Sequence, residues 1–149
     1  MPKIKVSTIV RKQDKQTVYN LLKNMQEFPR FMRDLKSLKV MEKSDSRLVT
    51  SWNVVIDGAS IVWKEEDIFN DQKRGLKFKM IEGDYSNYAG EWILDETPHG
   101  TKVTIAADFD WGLPVFEKFV GNILARKARK SLKSMLNAIK DRLEGKKKK

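Results

Sequence analysis

The chain has 149 residues and 17.3 kDa of mass, with 40% apolar residues and 30 Lys/Arg against 20 Asp/Glu, a net charge of +10. That is one domain's length, with enough apolar material for a real core. The lack of cysteine excludes disulfides and thiolate metal sites, and a single histidine, His99, argues against a His-based metal centre or a Ser-His pair.

The basic excess is local. Residues 1–114 carry 18 basic and 17 acidic side chains, residues 115–149 carry 12 and 3. A near-neutral body with a basic C-terminal segment argues against a whole-domain nucleic-acid binder. No apolar run reaches the roughly 20 residues that span a bilayer. The N-terminal "MPKIKVSTIVRK" has no apolar signal core and enters a strand pattern at once, so a cytoplasmic protein is expected.

In chain order, "KIKVSTIVR" (3–11) alternates as a first strand. "DKQTVYNLLKNM" (14–25) places Val18, Leu21, Leu22 and Met25 at helical spacing behind Asp14, a suitable N-cap. "QEFPRFM" (26–32) breaks at Pro29 and predicts a short second helix or turn. Six strand-like segments follow, at 35–43, 47–56, 59–69, 75–82, 87–95 and 101–110. The turn signals between them are short, which implies antiparallel neighbours rather than crossover units. His99 falls in one of these turns, "TPHG", and is read as a solvated loop residue.

The chain closes on one long amphipathic helix. Pro114 suits its start and Gly145 its end. Leu124, Ala128, Leu132, Met135, Leu136, Ile139 and Leu143 form its apolar stripe. Apolar residues before Gly121 sit roughly 140° away at 100° per residue. A kink or break near Gly121, or a first segment touching two surfaces, is expected. The fold class is thus α+β: a seven-stranded antiparallel sheet wrapped around a long C-terminal helix, with two short helices after the first strand. Residues 1–145 are expected to form one ligand-binding domain, and the "KKKK" of 146–149 a disordered basic tail.

The stretch "ASIVWKEEDIF" (59–69) puts two acids on a tryptophan's face. With a period of two, Ile61, Trp63, Glu65, Asp67 and Phe69 share one side. If that side is inward, Glu65 and Asp67 are buried carboxylates, and a buried carboxylate needs a partner. A Lys or Arg is expected to pair with them, while Lys64 and Glu66 face outward. Three roles stay open for the two acids: structural pairing, ligand contact, or acid/base catalysis with a raised pKa.

Aromatic strand residues supply the remaining candidates. Trp63 and Trp92 are the first choices for a cavity wall, with Trp52 and Tyr88 beside them; Tyr85 and Trp111 are read as either wall or core. Gly90, on the Trp92 face, would leave room. Phe78 and Met80 share an apolar face that is either wall or core. On the helix, Arg126, Arg129, Lys130, Lys133 and Lys140 gather away from the leucine stripe. They are either a solvated face, a docking patch for an anionic membrane surface, or phosphate contacts with RNA. No aromatic-interleaved basic strand supports the last of these. No phosphate loop and no cofactor signature is present, and no metal or cofactor is expected.

The succession "WNVVIDGASIVWKEEDIF", "GLKFKMIEGDYSNYAGEWIL" and "GTKVTIAADFDWGLP", with "EFPRFM" after the first helix, resembles the SRPBCC superfamily. Within it, the chain is similar to the polyketide cyclase/dehydratase and coenzyme Q-binding START-like branch. The resemblance spans nearly the whole chain and implies a helix-grip fold around a hydrophobic cavity. It also implies that Trp63, Glu65 and Asp67 point inward. The aromatase/cyclase members carry a Ser and an Arg where this chain has Glu65 and Asp67, and a Tyr where it has Leu35. The expected function is binding of a hydrophobic or amphipathic small molecule such as a polyketide, isoprenoid quinone or lipid, with transport or shielding as the purpose of that binding. The enzyme alternative is a cyclase or dehydratase using Glu65 and Asp67. The interaction alternative is RNA, ribosome or partner docking through the basic helix.

Overall fold

The computed structural model describes residues 3–83, 87–110 and 117–145. The elements are β1 (Lys3–Arg11), α1 (Lys15–Lys23), a 3₁₀ segment (Met25–Arg30), β2 (Leu35–Lys43), β3 (Arg47–Ile56), β4 (Ala59–Asn70), β5 (Gly75–Gly83), β6 (Asn87–Thr97), β7 (Gly100–Asp110) and α2 (Glu117–Leu143). All seven strands form one antiparallel sheet in the order β1-β7-β6-β5-β4-β3-β2. Only the step from β1 to β2 is not a hairpin. There α1 and the 3₁₀ segment carry the chain from one sheet edge to the other.

Local chemistry explains the boundaries. Asp14 caps α1, its carboxylate accepting from Thr17 N at 2.7 Å. Pro29 sits inside the 3₁₀ segment, and the backbone turns back as Phe31 and Met32 N–H groups donate to Phe28 O. The β3–β4 turn has Asp57 at φ 51° and Gly58 at φ 81°. Two positive φ values in a two-residue loop match the sheet's twist and favour the Asp-Gly pair. That turn sets the register Ile56↔Ala59, and hence Trp52↔Trp63 and Thr50↔Glu65.

Helix α2 lies across the concave face, packed chiefly along β1. Ala128, Leu132, Leu136 and Ile139 are buried, and Met135 and Leu143 are partly buried against the same core. The side chain of Leu124, also expected in this stripe, lies outside those described. The helix is unbroken through position 121, so of the expected alternatives the break is absent; the side chains of the segment expected to touch two surfaces lie outside those described. An α-helix tolerates one glycine at a modest cost. Trp111 and the tail 146–149 lie outside the described residues, as does Tyr85.

The basic face of α2 stays largely exposed and also reaches the neighbouring strand. Three of its five cations hydrogen-bond the open edge of β1: Arg129 donates to Lys5 O at 3.0 Å, Lys140 to Ile9 O at 2.7 Å, and Lys133 to Ser7 O. Alternate carbonyls of an edge strand point outward, and long side chains spaced along the helix reach successive ones. Arg126 and Lys130 remain exposed. Lys127 pairs with Asp57 at the β3–β4 turn.

Candidate functional site

Five strands deliver the inner face of the sheet to one place beneath α2. On β4, Trp63, Glu65, Asp67 and Phe69 are buried, while Lys64 and Glu66 are half-buried on the outer face. There Lys64 pairs with Glu82 at 3.1 Å and Glu66 with Arg47 at 2.6 Å. The period-two reading of this strand therefore gives the right faces.

The partner of the acids does not follow expectation. Among the described residues, no Lys or Arg pairs with Glu65 or Asp67. They are held by aromatic N–H groups, a threonine and each other. Trp63 Nε1 donates to Glu65 Oε1 at 2.7 Å. Trp52 Nε1 donates to Thr50 Oγ1 at 2.8 Å, and Thr50 Oγ1 donates to Asp67 Oδ2 at 2.7 Å. Trp52 and Trp63 face one another across the β3–β4 pair as stacked rings, with centroids 5.5 Å apart and planes 10° from parallel.

These contacts satisfy the pair only if a proton is present. Asp67 Oδ1 is buried, and with both groups ionised it accepts no hydrogen bond. Burial pushes the Glu65 carboxyl well above the usual range, and the neighbouring Asp67 charge and its hydrogen bond push it further in the same direction, with Trp63 opposing. Burial raises Asp67 as well, while its hydrogen bonds from Glu65 and Thr50 hold it down. Both shifts run the same way: burial makes the pair hold protons above the usual carboxylate range, and a proton on Glu65 would supply the donor that Asp67 Oδ1 lacks. Two carboxyls this close cannot both ionise cheaply in a dry site.

A cavity of about 30 Å³ opens in front of this network. Its sheet side is formed by Trp52, Val54 and Ile56 of β3, Trp63 and Glu65 of β4, Leu76 and Phe78 of β5, Tyr88 and Trp92 of β6, and Phe109 of β7. Leu22, Met25 and Phe28 close one end, and Ala128, Ser131, Leu132 and Met135 of α2 form the roof. Tyr88 stands edge-on to Trp63, with centroids 5.5 Å apart at 82°, and stacks on Phe109 at 4.5 Å.

Six of the eight candidate wall residues therefore lie on the cavity: Trp52, Trp63, Glu65, Phe78, Tyr88 and Trp92. Asp67 lies behind Glu65, and Met80 is half-buried against the core; neither lines it. Gly90 does not make room for a ligand as expected. A Cβ there would fall 2.2 Å from Ala106 O and 2.8 Å from the Phe78 ring, so the missing side chain is replaced by close packing. Thr50, fully buried, was not singled out from the sequence. The signal was available: the Asp57–Gly58 turn fixes the register that puts Thr50 opposite Glu65. Ser131, the roof's hydroxyl, had no such signal, because helix docking decides it.

Among the described residues, no helix is long and apolar enough to cross a membrane, and no cluster of three or more metal-ligating side chains occurs. Several solved structures share the fold. The protein TTHA0849 of Thermus thermophilus superposes with a TM-score of 0.91 at 21% identity, covering 99% of this chain and 100% of its own. The Zhui aromatase/cyclase of a Streptomyces species superposes at 0.87 and 14% identity, covering 96% and 93%. A START superfamily protein of Mycobacterium smegmatis does so at 0.80 and 16% identity, covering 96% and 97%. No curated protein matches the sequence. The model of the family described as polyketide cyclase / dehydrase and lipid transport matches residues 13–136, and the chain belongs to that family.

Proposed function

We propose that the protein binds a hydrophobic or amphipathic small molecule between the concave sheet and α2, shielding it from water. A polyketide, an isoprenoid quinone and a lipid are all candidate ligands. The observation that carries this reading is the wall itself: aromatic and aliphatic side chains from the sheet and the helices converge on a space that, among the described residues, carries one carboxyl group and one hydroxyl from α2. In a well-packed core those rings would meet without a gap.

At about 30 Å³ the space holds little more than one water. A ligand therefore enters by displacing side chains. Met25 and Met135 are unbranched and adapt most readily. Neutral N-phenyl-1-naphthylamine, which brightens in apolar surroundings, tests the reading. Saturable binding that quenches tryptophan emission and is abolished by Ser131→Phe, which fills the roof, is the expected result. Absence of saturable binding, or binding indifferent to Ser131→Phe, would refute it.

The enzyme reading has one observation in its favour. Glu65 is a carboxyl group on the cavity wall that burial pushes well above the usual range, the direction that suits a general acid acting on a carbonyl oxygen. Turnover of a poly-keto substrate that falls in E65Q with binding retained would establish it.

A further inference from the structure

The electrostatics of the cavity select a kind of ligand. Trp52 and Trp63 spend their N–H groups on Thr50 and Glu65, so their rings offer the cavity π surface rather than donors. Tyr88, Phe109 and Phe78 add further ring surface. Among the described residues, the wall contains no Lys, Arg or His. Glu65 and Asp67 bury two carboxyl groups side by side with no basic side chain against them among the described residues. Arg47 belongs to the adjacent strand but lies on the outer face, engaged by Glu66 at 2.6 Å. Among the described residues, Ser131 is the hydroxyl that α2 contributes to this wall, and β5 sets Met80 and Phe78 beside Glu65 and Asp67.

We propose that the cavity takes a hydrophobic organic cation, a protonated amine or quaternary ammonium, seated among the Trp52, Trp63 and Tyr88 rings against the Glu65–Asp67 pair. This rests on the reading that the space under α2 accepts an apolar ligand. Ring faces carry negative potential and attract cations most where water is excluded. The uncompensated carboxylate adds to that field, and in a dry site its effect is large. A carboxylate or phosphate ligand would meet the same field with the opposite sign. A quaternary ammonium is weakly hydrated and sheds its water at little cost. A bound cation also favours the ionised form of Glu65, so binding expels the pair's proton to the buffer.

Benzyltrimethylammonium and neopentylbenzene have the same shape and differ in one charge. Calorimetry at pH 7, in two buffers of different ionisation enthalpy, measures affinity and proton release together. The ammonium should bind about tenfold tighter or better, with proton release that neopentylbenzene lacks. In the E65Q/D67N double variant, confirmed folded by circular dichroism, the preference and the proton release should vanish while neopentylbenzene still binds. Equal or tighter binding of neopentylbenzene to the wild type would overturn the proposal and leave the cavity reading standing. A preference that survives in E65Q/D67N would also overturn it. Failure of both probes to bind would overturn the proposal and the cavity reading together. If the double variant does not fold, wild-type proton release decides: ammonium binding without it refutes the role of the acid pair.

Discussion

Replacing Glu65 by Gln should change how stability depends on pH. The perturbation is small in shape. Burial makes the folded Glu65 carboxyl hold its proton to a higher pH than an ordinary one, and a Gln amide can donate to Asp67 from the same position while Trp63 still donates to its oxygen. The sign follows from proton counts. An unfolded Glu loses its proton near 4.5, whereas the folded carboxyl keeps it to well above that value, chiefly because of burial and then the Asp67 charge. Between those two points the folded state binds one more proton than the unfolded state, so stability falls as pH rises. One proton corresponds to a slope of at most about 1.4 kcal/mol per pH unit. Asp67 is raised too, so it contributes in the same direction, and its step is coupled to that of Glu65. In E65Q the Glu65 contribution is gone, and Asp67 loses an acidic neighbour. Urea titrations of both proteins from pH 4 to pH 9 give the difference directly. The stability of E65Q relative to wild type should rise with pH from just above 4.5, then level off once the folded pair has ionised. Parallel curves across the whole range would refute the shared proton and the dry site that causes it.

Two further outcomes test the architecture. Leu136 is fully buried where α2 meets the sheet; Leu136→Ala should cost about 2–5 kcal/mol in a urea titration, and a loss below about 0.5 kcal/mol would mean that α2 does not grip the core there. The triple change R129M/K133M/K140M removes the donors that occupy the β1 carbonyls. An uncovered edge strand is a template for further pairing, so sedimentation velocity should show concentration-dependent association. A variant that stays as monodisperse as the wild type would show that the basic face does not guard the edge.

The fold was legible because its signals are local. Alternation along 59–69 separates Trp63, Glu65 and Asp67 from Lys64 and Glu66 without knowledge of any neighbour. The Asp-Gly turn fixes the β3–β4 register, and short turns elsewhere leave antiparallel pairing as the economical connection. The stripe on α2 declares which side is buried, whatever it is buried against.

What covers those surfaces was not legible. The rule that a buried carboxylate needs a partner is sound, but a sequence does not say which partner arrives. Here the cross-strand neighbour Thr50, the Trp63 N–H and a shared proton meet the need, and no Lys or Arg is required. The cations of α2 look free in the sequence because helix periodicity describes only the helix. Once α2 docks beside β1, Arg129, Lys133 and Lys140 reach its carbonyls. Gly90 reads as a gap in a strand and is in fact filled by the Phe78 ring. Backbone periodicity is a local property, so the order of residues assigns side chains to the faces of each element before anything packs. Which groups meet across the cavity depends on how far apart sheet and helix come to rest, and that distance exists only in the folded molecule.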